Sequence, residues 1–139
     1  MEYCSPLWAS SPASNLAQLG AVEFEAFKIF GISHDEADSM SLSLRHHRQV
    51  GGLSVFCHLL CGLAPSALSV LSPHPTQVSA GLTQSTINPL LVKLPKSRIT
   101  AHFHSFVPIS SCLWNQFPDT LQSHSSLQVF KTAVHHHLR

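Results

Sequence analysis

Seven carboxylates, four cysteines and eleven histidines are the side chains of this 139-residue sequence best suited to chemistry. Two-metal phosphoryl transfer needs carboxylates converging on Mg²⁺ to steady the attacking and leaving oxygens. The acids here are Glu2, Glu23, Glu25, Asp35, Glu36, Asp38 and Asp119, with no paired motif in a strand pattern and no Tyr-x-Asp-Asp run. Asp35, Glu36 and Asp38 fit a solvated helix start, where carboxylates complement the dipole. Cys57 and Cys61 stand one helical turn apart with His58, His46 and His47 nearby. Zinc needs four converging ligands, and the second ligand pair is missing downstream, so the pair reads as small core hydrophobes. His135, His136 and His137 point in different directions on a helix and form no chelate among themselves. His124 with Ser125, and Cys112 with any histidine, lack an orienting acid at a recognisable spacing, so nucleophilic catalysis has no support. The expectation is a chain that is not an enzyme, with no metal site, no cofactor and no small-molecule substrate.

Basic residues form two groups. Arg45, His46, His47 and Arg48 cluster at a helix start, and Lys93, Lys96 and Arg98 cluster further on, followed by Phe103, Phe106 and Trp114. Cations next to aromatics suit a surface on which bases stack. They equally suit a solvated helix edge beside core aromatics. The net charge of +1 favours the second reading and by itself implies no partner.

A few helices must position these groups. Ser14 or Asn15 can cap a helix running to about Phe30. Leu16, Leu19, Val22, Ala26, Ile29 and Phe30 fall near helical spacing there, with Phe24 and Phe27 widening the face. Gly31 suits the position past its end. Glu23 and Lys28 supply little pairing, so burial is expected to hold this helix. Ser33 with Glu36 fits a capping box and predicts a short helical turn. A second long helix is predicted over about 43–61, with Val50, Leu53, Cys57 and Leu60 as its stripe and Phe56 and Leu59 beside it. Its Gly51-Gly52 pair costs about 1 kcal/mol per glycine relative to alanine, so it depends on tertiary contacts. Ser66 to Leu71 predicts one further turn. The stretch 72–97 is rich in Pro, Ser, Thr and Gln and reads as an extended arm. Ile99, Ala101 and Phe103 alternate with Thr100, His102 and His104, a short strand-like pattern. Trp114, Asn115, Phe117 and Pro118 read as a turn, with Trp114 and Phe117 as apolar anchors for a last helix. Ser125 or Ser126 caps that helix, on which Leu127, Phe130, Val134 and Leu138 share a face.

The fold class expected is therefore mainly α: three or so amphipathic helices, a long irregular Pro/Ser-rich arm and at most one short strand pair. One incomplete domain is expected, divided as 1–71, 72–98 and 99–139. Only 11% of residues are charged, less than half of the roughly 25% usual in soluble domains, and serine and proline take up much of the difference, so several poorly ordered segments and partial order in isolation are expected. No apolar h-region precedes a cleavage site and the cysteines form no secreted framework, which predicts no signal peptide and an intracellular setting, nuclear or cytoplasmic. Leu53 to Leu71 carries no Asp, Glu, Lys or Arg, but Gly62, Pro65, His58 and three serines interrupt it. A helix packed in a protein core is expected there rather than a membrane span.

Four phrases in order resemble one known family. Glu2 to Trp8 (EYCSPLW) leads into Leu16 to Ile32 (LAQLGAVEFEAFKIFGI). Ser41 to Pro65 follows, with its Arg-rich start and its Gly-Leu-Ala-Pro end. Last comes Lys96 to Leu138, with Ser-Phe-x-Pro, the Leu-Trp-Asn-x-Phe-Pro turn and a final helix containing Phe-Lys. The series is similar to the thumb and tail, the C-terminal region, of reverse transcriptases from non-LTR (LINE-type) retrotransposons. It departs at His58, at Gly51-Gly52, and in the scarcity of basic residues on the helix from Leu16. The resemblance implies a transposable-element-derived, non-catalytic piece, since the family's catalytic carboxylates and endonuclease lie upstream. It implies that 1–71 is thumb-like and that the partner is an RNA–DNA template–primer duplex. Arg45, Arg48, Lys93, Lys96 and Arg98 are its implied backbone contacts; Trp114, Phe117, Pro118 and Phe130 are the structural anchors. Two alternatives stand beside it: a domesticated nucleic-acid-binding or protein-interaction module, and a small membrane-associated protein using 53–71.

Overall fold

The computed structural model describes residues 11–40, 42–75, 90–96, 98–123 and 126–138. The Glu2–Trp8 phrase, residues 76–89 of the arm, and His124 with Ser125 lie outside them. The chain is mainly α-helical, with no strand among the described residues. The helices are α1 (Ala13–Phe30), α2 (His34–Ser39), α3 (Leu44–Leu60), a 3-10 helix (Ser66–Leu71), α4 (Thr100–Phe103), α5 (Phe106–Gln116), α6 (Asp119–Gln122) and α7 (Leu127–His137).

The core lies where α3 packs against α5 and α7. Val50, Leu53, Phe56 and Cys57 recur at helical spacing on α3 and meet Trp114 and Phe117 from the end of α5 and Phe130 and Val134 from α7. The ring of Trp114 sits between Phe56 and Phe130, with centroids 5.9 and 5.5 Å away and both pairs tilted. Tilted rings at this range add about 0.5–1.5 kcal/mol to the gain from area burial alone. Phe56 also meets Phe106 edge-on at 6.5 Å, which fixes the start of α5 as well as its end. Both long helices α1 and α3 stop at a left-handed glycine, Gly31 and Gly62, each at φ 68°. The chain folds back there with Ile32 N donating to Phe27 O and Leu63 N to His58 O, both at 3.0 Å.

Three expectations are corrected. Ile99 to Phe103 is not strand-like: no sheet partner is present among the described residues, and Phe103 N and His104 N instead close a helical turn onto Ile99 O and Thr100 O. Trp114 and Asn115 belong to the last turn of α5 rather than to a turn, and only Phe117 and Pro118 leave the helix. Pro108 hides this helix in the sequence, yet it occupies the first turn, where proline's missing N–H has no partner to lose. Lastly, burial does not hold α1. None of its residues is buried, and Ile29 and Phe30 are 83% and 75% exposed.

Candidate functional site

The arm returns at Leu90 and is clamped at once to the end of α5. Asn115 Oδ1 accepts from Val92 N at 3.0 Å while its Nδ2 donates to Val92 O at 2.9 Å. One side-chain amide thus does for Val92 what a neighbouring strand would do. Trp114 adds an indole hydrogen bond to Leu90 O at 2.9 Å without leaving the core. On the far side, Lys93 N donates to His74 O at 2.9 Å, beside an isolated antiparallel bridge between Pro75 and Val92. With its backbone fixed and Val92 buried, the arm turns Lys93 and Lys96 toward solvent. Both line a cleft of about 710 Å³ together with His74, His102, Val107 and Pro108.

Arg45 and Arg48 line a second cleft, of about 200 Å³, walled by Leu16 of α1, Leu53 of α3 and Ile109 and Leu113 of α5. Arg48 Nη1 is buried there with no hydrogen-bond partner among the described residues. A buried donor left unpaired costs about 1–3 kcal/mol, and more when charged, so this guanidinium is well suited to receive an anion. A third cleft, of about 470 Å³, separates α3 from α7 and is lined by His47, Gln128, Lys131, Thr132 and His135. At its edge His46 Nε2 and His135 Nδ1 lie 2.6 Å apart, one donating and the other accepting, and fasten α3 to α7. Of the five basic residues singled out from the sequence, Lys93 and Lys96 share one cleft and Arg45 and Arg48 another. Arg98 is exposed and lines none of these three. Helix α5 walls both of the clefts that hold the pairs. Among the anchors, Trp114, Phe117 and Phe130 are buried, whereas Pro118 is exposed at the start of α6.

No group of three or more His, Cys, Asp or Glu among the described residues could hold a metal ion. Cys57 and Cys61 bring their sulfurs to 4.0 Å. Burial, then the neighbouring Cys61, pushes the Cys57 thiol up to about 12, far from the thiolate that a nucleophile or a metal ligand requires. No helix among the described residues is long and apolar enough to cross a membrane. The apolar run from Leu53 breaks after α3, at Gly62.

The charge is sorted along the chain. Residues 1–43 hold six acids and a single lysine, while residues 44–139 hold seven Lys and Arg, one acid and ten of the eleven histidines. Among the described residues, no Asp or Glu lines any of the three clefts. The two parts meet where Glu23 of α1 accepts from Leu44 N at 2.6 Å, capping α3 at the end that carries Arg45, His46, His47 and Arg48. Cations at that end oppose the helix dipole, and a carboxylate from outside the helix offsets them. The net charge conceals this sorting; counting charge by segment exposes it. The clamp by Asn115 and the His46–His135 contact have no such signal, because their partners lie 23 and 89 residues apart.

No protein-family model, no curated protein and no solved structure matches this chain.

Proposed function

We propose that this chain is a non-catalytic C-terminal piece of a LINE-type reverse transcriptase, and that its basic body helps hold the template–primer duplex by the phosphates. The observation that carries the binding half of this reading is the sorting of charge. Every Lys and Arg but Lys28 lies on residues 44–139, and no described residue lining the clefts walled by α3, α5, α7 and the arm is an acid. Cations in clefts that no carboxylate among the described residues lines are what a polyanion's backbone recruits, whatever its sequence. The family half rests on the four ordered phrases, of which Leu16–Ile32, Ser41–Pro65 and Lys96–Leu138 supply the elements around these clefts. On this reading the chain carries out no reaction of its own and works inside the cell, in the nucleus or cytoplasm.

The test is binding of the full chain to a fluorescein-labelled blunt RNA–DNA duplex across a salt series. Affinity should fall linearly in log–log form, with a slope of roughly −0.9 per phosphate neutralised. Replacing Arg45, Arg48, Lys96 and Arg98 together with Ala should shallow that slope and weaken binding at least tenfold. Absence of binding at low salt would remove the duplex-holding role.

A further inference from the structure

We infer that the cleft between the arm and α5 takes a short single-stranded stretch of nucleic acid, an unpaired end rather than the duplex itself. This deepens the proposed function and rests on its premise that the polyanion is nucleic acid.

Size is the first argument. At about 710 Å³ the cleft falls within the roughly 300–1,000 Å³ typical of small-ligand pockets. It admits a nucleotide or two with the bases turned inward, and no double helix fits inside it. Charge complementarity is the second. Lys93 and Lys96 stand on the rim, His74 and His102 add imidazoles, and no carboxylate among the described residues lines the cleft. The apolar surface of Val107, Pro108 and the adjoining arm is what sugars and bases need once phosphates are held.

Preorganisation is the third. Lys93 sits next to Val92, whose N–H and C=O are both held by Asn115, and its own N–H is held by His74 O. The rim is therefore set before any ligand arrives, which lowers the cost of ordering it on binding. The same engagement argues against an acidic peptide as occupant. A peptide adding itself as a strand needs free backbone groups on an edge, and both groups of Val92 and the N–H of Lys93 are already used.

The experiment compares a blunt RNA–DNA duplex with the same duplex carrying an overhang of four nucleotides, using the full chain. The overhang should raise affinity about fivefold or more. Lys93→Ala with Lys96→Ala should abolish that increment. Asn115→Leu, which releases the rim without removing a charge, should reduce the increment while leaving blunt-duplex affinity within about twofold. Circular dichroism confirms that each variant remains helical, and Lys93→Gln with Lys96→Gln serves as a second pair that alters charge alone. Binding of the blunt duplex with no gain from the overhang overturns the single-strand cleft and leaves the proposed function standing. Loss of all binding to the blunt duplex removes the proposed function instead. Displacement of the overhang, but not of the duplex, by equimolar hexaglutamate would assign the cleft to acidic peptides and overturn the inference.

Discussion

Helices α1 and α3 are almost the same length, 18 and 17 residues, and they are stabilised in opposite ways. Helix α1 looks like the better core helix, with Phe24, Phe27, Ile29 and Phe30 and no internal Gly-Gly, yet none of its residues is buried. Helix α3 opens on Arg-His-His-Arg and contains Gly51-Gly52, yet it buries His46, Val50, Gly52, Leu53, Phe56, Cys57 and Leu59. The N-terminal pair is held by local devices. Lys28 reaches Glu25 at 2.9 Å and lies 4.4 Å over the Phe24 ring, and Ser33 and Glu36 close a capping box. The body around α3 is held by side chains distant in sequence. Burial is thus a property of the partner a helix finds, not of its own apolar content, and in this chain six of the seven acids lie on residues 1–43 while seven of the eight Lys and Arg lie on residues 44–139.

The largest expected effect comes from removing the middle of the core. Phe130→Ala or Trp114→Ala should destabilise the body by about 3–5 kcal/mol, since each leaves a cavity between tightly packed rings. Phe30→Ala on α1 should change stability by less than about 0.5 kcal/mol, as exposed substitutions do. Urea denaturation followed by circular dichroism measures both. Equal losses for Phe130 and Phe30 would erase the distinction between the two regions.

Next in size is the clamp on the arm. Asn115→Ala strands the N–H and C=O of Val92 in a buried position, at a cost of about 1–3 kcal/mol. Amide hydrogen exchange at Val92 should accelerate well before exchange in α3 does. Unchanged protection at Val92 would mean that the arm is held without the amide.

These two predictions also mark how far the sequence could be read. The stripe on α3, the face of α7, the Ser33–Glu36 box and the glycine ends of α1 and α3 obey rules that act within one or two helical turns, so they are visible residue by residue. Helix α5 is not, because Pro108, Ser110 and Ser111 interrupt its pattern; it exists because Phe106 and Trp114 both pack on Phe56. The alternation of Ile99, Ala101 and Phe103 misleads for the converse reason, since a strand needs a neighbour and none is present among the described residues. Of the candidate site, the cations and their two groups were legible, and the clefts that they line were not. Lys93 meets His74 and His102 only because Asn115, far along the chain, fixes the arm.

Acid and base should act on different regions. Hydrogen bonds from the backbone and then the hydroxyl of Ser33 hold the Glu36 carboxyl below its usual 4.5. A lowered folded value stabilises above the unfolded one, so the capping box is complete above pH 4.5 and is lost as pH falls below it. The Cys57 thiol runs the other way. Its folded value is raised from 9.0 to about 12, so its contribution is complete below pH 9 and drains away as pH climbs toward 12. Acidification should therefore speed amide exchange in α2, while alkaline titration should lower the urea midpoint of the body. Cys57→Ser, which removes the titrating thiol, should flatten the alkaline limb; an unchanged limb would assign it to another group.

The smallest effect tests the regions with one substitution made twice. Gly20 lies within α1 with nothing within 4 Å of where a Cβ would stand, and Gly52 lies within α3 with Phe106 Cε2 at 3.8 Å, ordinary contact. Neither has a positive φ, so alanine meets no backbone strain at either site. Each replacement should favour its helix by up to about 1 kcal/mol. The gain at Gly52 should appear in the global unfolding of the body, because α3 unfolds only with its core. The gain at Gly20 should appear as slower amide exchange in α1 alone, because that helix can open without disturbing Phe56 or Trp114. A rise in the global midpoint from Gly20→Ala as large as that from Gly52→Ala would mean that α1 and α3 unfold as one unit, and that Glu23 couples them far more strongly than a single hydrogen bond to Leu44 suggests.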